Sequence, residues 1–346
     1  MQYTDHTPGR TTLLEGRTCL FFSGFAYLGL HQQPAFKALL AQGVEKYGTV
    51  FPSSRAGNIR LSLYEEIEHA LCTLLHLQSA AVFSSGFLAS QAAVHYALTC
   101  GKPLYAPDTH PALWGLPTAL PLVTREEWIR QTIEQVNSHP DHTFVIITDA
   151  VNPLTSTRHP FQWLQELERK VLVVADDSHG IGILGPAGEG SIHFMPKTPQ
   201  VHYLLTASLA KAYSIQGGVV AGSAADIMAL KKSPLFAGST PMAPANAHAW
   251  LHAGELIQKM RKLLQQNITH MQQIMADLPV HNPHGLPVFI LPPGDTLVKS
   301  LEDRDIIISS FPYPQPQNVP VNRAVVSALH LREDITTLHQ FLKEIV

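Results

Sequence analysis

The sequence has few cysteines, no long apolar run and no block of basic residues, and each shortage narrows what the chain can be. Cys19, Cys72 and Cys100 are an odd number and widely spaced, which leaves neither a disulfide framework nor a zinc knuckle, and no metal site is expected. Cys72 and Cys100 fall in apolar, helical-looking stretches that suit buried free thiols. No apolar stretch reaches the roughly 18 residues of a membrane span and Met1 to Arg10 is polar, so the expectation is a cytoplasmic protein with no membrane partner. Lysine plus arginine number 24 against 27 acidic residues, a formal charge of -3, and the basic residues form no runs that would grip a phosphate backbone. Nucleic acid is therefore not an expected partner.

Familiar catalytic signatures are also scarce. There is no P-loop and no G-x-S-x-G elbow. Gly180-Ile181-Gly182-Ile183-Leu184-Gly185 fits the G-x-G-x-x-G dinucleotide pattern, but Asp176 to His179 separate it from the preceding strand. Pro186-Ala187-Gly188-Glu189-Gly190 then follows where that fingerprint needs an uninterrupted helix. His139-Pro140-Asp141-His142 has metal-binding side chains around a proline that no regular ligand-bearing helix tolerates, and reads as a solvated turn. Asn267-Ile268-Thr269 matches a glycosylation sequon and reads as part of a polar helix face.

What is present is a large supply of core. The chain has 346 residues, 45% of them apolar, enough for one large and one smaller domain. Leu63, Ile67, Leu71, Leu74 and Leu75 recur at helical spacing; a strand Ala80 to Phe83, a Ser84-Ser85-Gly86 turn and a helix Phe87 to about Leu98 follow. Phe144 to Thr148, Val171 to Ala175, Tyr203 to Thr206 and Gly217 to Ala221 are further β-like runs, several of them separated by helices. Continuous apolar strands alternating with helices predict an α/β fold around a mainly parallel sheet covered on both faces. From about Pro244 the pattern becomes one long helix to roughly Asp277, then proline-rich connections, with Phe311 to Pro316 as an ordered loop, and a final helix from about Arg332. The boundaries expected are 1–40 for an N-terminal arm and part of the small domain, 41–243 for the large domain and 244–346 for the small α+β domain.

Two segments carry chemistry. Asp176-Asp177-Ser178-His179 closes a strand where the carboxyl edge of a parallel sheet opens, the usual location of α/β active sites, although alone it could equally be helix capping or a surface ion cluster. Some thirty residues on, the strand Tyr203 to Thr206 runs into Ser208-Leu209-Ala210-Lys211. A lysine bounded by small and apolar residues is a candidate for the lowered pKa that a Schiff-base nucleophile requires.

At this point the chain resembles the α-oxoamine synthase family of fold-type I pyridoxal 5'-phosphate (PLP) enzymes, in consistent order from about Phe21 to the C-terminus. Tyr27-Leu28-Gly29-Leu30, Tyr47-Gly48, Ser54-Arg55, Phe83-Ser84-Ser85-Gly86-Phe87, Asp176-Asp177-Ser178-His179-Gly180 and Ser239-Thr240 resemble the family's motifs. The resemblance implies that Lys211 carries PLP as a Schiff base and moves protons at the substrate's α-carbon. It also implies that Asp176 pairs with the pyridine nitrogen, that His179 bonds the ring's phenolic oxygen, and that His110, in Asp108-Thr109-His110, stacks on the ring. Phosphate would rest on the turn of Ser85 and the N–H groups of Gly86 and Phe87, helped by the Ser208 hydroxyl and by Thr240 of a neighbouring subunit, in a homodimer with shared active sites. For Ser208 and Thr240, simple turn capping is the alternative.

The resemblance breaks at the substrate. Phe25 stands where the family carries an asparagine that helps hold the amino acid, and Pro312 where it carries an arginine that pairs with the substrate carboxylate. Arg323, which matches a nearby family arginine, and Arg55 are the remaining candidate anion partners. The resemblance implies a transferase that joins an acyl thioester such as an acyl-CoA to an amino acid with loss of its carboxylate. An aminotransferase working through the pyridoxamine form, and a non-catalytic PLP-binding protein with a degenerate substrate site, remain open alternatives.

Overall fold

A computed structural model describes residues 3–115, 119–312 and 318–345. Two strands come first, β1 Thr11–Leu14 and β2 Arg17–Phe22, paired antiparallel around Glu15 and Gly16. Both turn residues have positive φ, 50° and 80°, the backbone of the tight hairpin turn whose twist matches its strands. The central strands are β3 Ser79–Phe83, β4 Lys102–Tyr105, β5 Phe144–Asp149, the short β6 Val151–Asn152 and β7 Thr157–Arg158, β8 Val171–Asp176, β9 Val201–Ser208 and β10 Gly218–Gly222. The last three are β11 Val288–Ile290, β12 Ile306–Pro312 and β13 Pro320–Val325.

Six strands form one sheet in the order β3-β10-β9-β8-β5-β4, parallel throughout except for β10, which runs antiparallel to both its neighbours. Alternate side chains enter two separate apolar clusters. Phe144, Ile146, Val171, Val173, Leu205 and Val219 face one side, and Val145, Ile147, Val174, Leu204 and Val220 the other. Helices cover both faces, which is why these strands read as unbroken apolar runs in the sequence. The α/β class expected from the sequence, around a mainly parallel sheet, is thus what is found.

A second sheet, ordered β1-β2-β12-β13-β11, joins the two ends of the chain, with β2 parallel to β12. The helices Gly254–Ile274 and Arg332–Ile345 pack together beside it. Two expectations are corrected here. The long helix from Pro244 is two, Pro244–His252 and Gly254–Ile274, because the Ala253 N–H bonds the Trp250 carbonyl in a tightened last turn instead of continuing the helical ladder. Asn267 lies on no polar face: it is buried, in register with Met260, Leu264, Ile268 and Met271, and its amide donates to the Ser327 and His330 carbonyls at 3.0 and 2.8 Å. Asn267→Ala removes the amide donor from the His330 carbonyl and leaves the Ser327 carbonyl only the 3.3 Å contact from the His330 N–H, and an unfolding titration should show a loss of about 2 kcal/mol.

Among the described residues no cluster of ligating side chains suits a metal, and no helix is long and apolar enough to cross a membrane. His139 to His142 form an exposed turn. The three cysteines are free, Cys19 and Cys72 buried and Cys100 half-buried. Of the proline cluster, Phe311 and Pro312 end β12, while Tyr313, Pro314, Gln315 and Pro316 lie outside the described residues.

Candidate active site

The parallel strands deliver their carboxyl ends to one edge, and nearly every chemically active side chain lies within a few residues of that edge. Asp149 is the last residue of β5, Asp176 of β8 and Ser208 of β9. His110 follows β4, His179 follows β8 and Lys211 follows β9. Parallel register places Asp149 directly beside Asp176. The result is a cavity lined by Phe25, His110, Asp149, Asn152, Asp176, His179, Lys211, Phe311 and Arg323, together with Asp108, Val151, Pro153 and Leu154.

Lys211 Nζ stands 2.9 Å from His179 Nε2, and the other ring nitrogen meets the Tyr27 hydroxyl at 2.8 Å, so the imidazole is held from both ends. Burial pushes the Lys211 amine below its ordinary value, against the pull of Asp176 and Asp149. Burial also drives His179 well below the usual imidazole range, reinforced by Lys211, Arg323 and His110, which keeps the ring neutral. Asp176 is 7% exposed; one carboxylate oxygen accepts the Ser178 N–H at 2.8 Å and the other the Ser90 hydroxyl at 3.1 Å. Ser90 is itself paired with Thr206 at 2.9 Å. His110 is fixed at its backbone, where its N–H donates to Asp149 at 2.9 Å, and its Nδ1 accepts from the Ala112 N–H at 3.1 Å. Desolvation lowers the His110 pKa, partly offset by Asp176.

Asp149 escaped the sequence reading. Burial and the neighbouring Asp176 push its carboxyl up to about 7, with the His110 N–H and Arg125 pulling the other way. The signal was available: Asp149 ends its strand just as Asp176 ends the next. Ser90, inside a helix with no motif around it, offered no comparable signal.

The segment Gly180 to Gly190 wraps the buried Asp177. That carboxylate accepts the Ser191 N–H at 2.7 Å and hydroxyl at 2.6 Å, and burial raises it to about 7. Arg261 secures the outside of the loop through the carbonyls of Gly182, Gly185 and Pro186. These glycines serve close packing, for a Cβ at Gly190 would fall 1.9 Å from the Asp177 carboxylate.

Gly86 opens the helix Gly86–Cys100 at the same sheet edge, with Ser85 as N-cap accepting the Leu88 N–H at 3.1 Å. A Cβ on Gly86 would lie 2.4 Å from that of Ser208, so the helix N-terminus abuts the strand end that leads to Lys211. The N–H groups of Gly86 and Phe87, which have no partner within the helix, therefore head a dipole beside the lysine turn. An anion-binding helix start, a hydroxyl, a desolvated lysine, a buried carboxylate and a neutral imidazole at one edge fit PLP in charge and chemistry.

Arg323 is 1% exposed, its side chain lying between Phe25 and Phe311 with the guanidinium 5.3 and 4.8 Å from their rings. Nη1 makes one long contact, 3.4 Å, to the Pro153 carbonyl, while Nε and Nη2 are buried without a partner. Arg55 does not line this cavity. It is ion-paired with buried Glu68 at 2.8 Å, stacks on Tyr64 and Phe236, and faces a separate cavity. Thr240 is exposed and also outside the Lys211 cavity of its own chain.

No model of a known protein family matches the chain. Individual proteins do. It is 29% identical over 354 residues to an 8-amino-7-oxononanoate synthase of Nitrosomonas eutropha, covering 96% of this chain and 91% of that one. It is 26% identical over 365 residues to a serine palmitoyltransferase of Bacteriovorax stolpii, covering 98% and 85%. The fold matches that of Sphingomonas wittichii serine palmitoyltransferase with a TM-score of 0.83, at 16% identity over 99% of this chain and 91% of that one. It also matches an 8-amino-7-oxononanoate synthase of Francisella tularensis with a TM-score of 0.69, at 21% identity over 94% and 98%. Alignable along nearly its whole length with two such synthases and folded as they are, the chain is a homologue of proteins named 8-amino-7-oxononanoate synthase and serine palmitoyltransferase, which are α-oxoamine synthases of PLP fold type I.

Proposed function

We propose that the protein is a PLP-dependent transferase that condenses an amino acid with an acyl thioester such as an acyl-CoA, with loss of the amino acid's carboxylate as CO2. The observation that carries this reading is the pairing, in one cavity, of the desolvated Lys211 with the buried Arg323, two of whose nitrogens, Nε and Nη2, have no hydrogen-bond partner among the described residues. Buried guanidinium donors are costly to leave unmade, and a substrate carboxylate is the planar anion they fit.

Lys211 would hold PLP, which would supply an electron sink for negative charge at the substrate's α-carbon. Asp176, its two oxygens aimed by Ser178 and Ser90, holds a proton on the pyridine nitrogen. His179 bonds the phenolic oxygen, and its contact with Tyr27 keeps the ring in that orientation. The Asp149 carboxylate anchors the His110 backbone so that the imidazole stacks over the ring. Gly86, Phe87 and Ser208 hold the phosphate, with Ser85 capping the helix that presents them. The Lys211 amine, held beside His179, would move the proton at the substrate's α-carbon. Thr240, exposed and away from its own chain's cavity, reaches the phosphate of a second copy in a homodimer.

The test is release of free CoA from acyl-CoA by the PLP-loaded protein, run against a panel of amino acids. Release that depends on both substrates supports the reading. Failure of every pair overturns it, and conversion of the cofactor to the pyridoxamine form by an amino acid alone would make the protein an aminotransferase.

A further inference from the structure

Phe25 is the residue common to two cavities. On one side lies the Lys211 cavity, where the ring meets charge and polarity. Lys211 Nζ is 5.9 Å and Arg323 Cζ 5.3 Å from the ring, and the His179 ring lies edge-on at 5.1 Å. The second cavity is bounded by Phe21, Ala26, Val325 and Leu329, and by Ala210, the residue before Lys211. Of the polar side chains at its wall, those of Ser23, His31, Ser214 and Ser327 already have partners, and Thr7 is exposed to solvent. Ser23 is paired with Ser309 at 2.7 Å, Ser327 with His330 at 3.1 Å, and His31 with the Pro8 carbonyl at 2.8 Å and with Ser214 at 3.3 Å. A space whose polar groups are satisfied offers a ligand mainly carbon surface, and hydrocarbon is what it suits.

Resting on the function proposed above, we propose that Phe25 sets acyl-chain length: its ring is the end wall of the acyl seat, and the apolar cavity behind it is an extension the ring closes off. The substrate class is then a short-chain acyl thioester. The polar end of the amino acid remains with Arg323, and the alkyl end of the acyl group points at Phe25, which among the described residues lines both the reacting edge and the apolar space. Phe25 makes no hydrogen bond a substrate could use, so its effect is steric.

The experiment assays the PLP-loaded protein and its Phe25→Leu and Phe25→Ala variants with acetyl-, butyryl-, hexanoyl- and octanoyl-CoA at a fixed amino acid. In parallel, the thermal shift produced by each acyl-CoA relative to free CoA is recorded with no amino acid present. The native chain should prefer the shortest donors. Phe25→Ala should raise the octanoyl-to-acetyl ratio of kcat/KM by about tenfold or more, since one methylene in an apolar pocket already counts for about that much. Phe25→Leu should fall between, and adding Leu329→Trp to Phe25→Ala, which fills the second cavity, should reverse the gain. An unchanged ratio in an active Phe25→Ala variant overturns the proposal, as does a change in amino-acid preference with acyl preference intact. If no pair releases CoA from the native chain, the reaction assigned above fails and the thermal shifts decide this proposal separately. Octanoyl-CoA must then stabilise Phe25→Ala more than the native chain, and the double variant must lose that difference.

Discussion

Replacing Lys211 by alanine is expected to abolish turnover, by at least about 10^4-fold, because the substitution removes the covalent anchor and the proton carrier together. The protein should nevertheless fold. Lys211 sits between Ala210 and Ala212 on the turn after β9, and its amine has one hydrogen-bond partner, His179 Nε2. Burial already disfavours the ammonium form, so deleting the amine relieves a desolvation cost as well as losing a contact. Borohydride reduction of the PLP-loaded protein followed by peptide mass mapping checks the assignment. In the native chain the phosphopyridoxyl group should appear on the peptide containing Lys211, and in Lys211→Ala on none. Label and activity that persist in the variant would mean that another lysine carries the cofactor. Lys211→Arg should be as inactive as alanine, since a guanidinium remains charged and does not form the Schiff base.

Much of this site could be read in advance because its parts are local in sequence. Asp176 and His179 share one tetrapeptide, Lys211 follows its strand by three residues, and Gly86 marks a strand-turn-helix that leaves a trace in any α/β chain. The alternation of Phe144 to Ile147 and of Val171 to Val174 between two clusters explains why the sheet was legible too: strands buried on both faces appear as plain apolar runs. What was not legible depends on contacts far apart in the chain. Ser90 orients Asp176 across 86 positions, and Arg323 reaches the Pro153 carbonyl across 170. Arg55 and Arg323 were equal candidates in the sequence, and only packing separates them. Glu68, buried 13 positions along, captures Arg55, whereas no carboxylate is paired with Arg323. Asn267 was misplaced for the same reason, since the carbonyls that justify a buried amide are 60 and 63 residues away. Local pattern reports which face is apolar, and cannot report that a polar side chain on that face has found distant partners.

Arg323→Met should move activity and stability in opposite directions. Two charged hydrogen bonds to a substrate carboxylate contribute about 1.5 to 3 kcal/mol each, so their loss should lower kcat/KM for the amino acid by about 100-fold or more, chiefly through KM. In the protein without substrate the same guanidinium is a burden. Nε and Nη2 are buried and unpaired, and burial pushes the Arg323 pKa down from its ordinary value with only the Tyr27 hydroxyl opposing. Methionine keeps a flexible apolar stem against Phe25 and Phe311 and removes the unmet donors, at the cost of a cation–π contribution of about 1 kcal/mol. The net expectation is a Tm about 1 to 3 °C higher than that of the native chain, measured with PLP bound and no amino acid present. Arg323→Lys keeps a charge without the bidentate fork and should recover part of the affinity and none of the stability. Arg55→Met is the contrasting control, because it leaves the buried Glu68 carboxylate with one cationic partner, Lys231, beside the Val82 N–H, and should lower Tm. If Arg323→Met instead lowers Tm and leaves KM unchanged, Arg323 is a packing residue, and the carboxylate of the substrate must be held elsewhere.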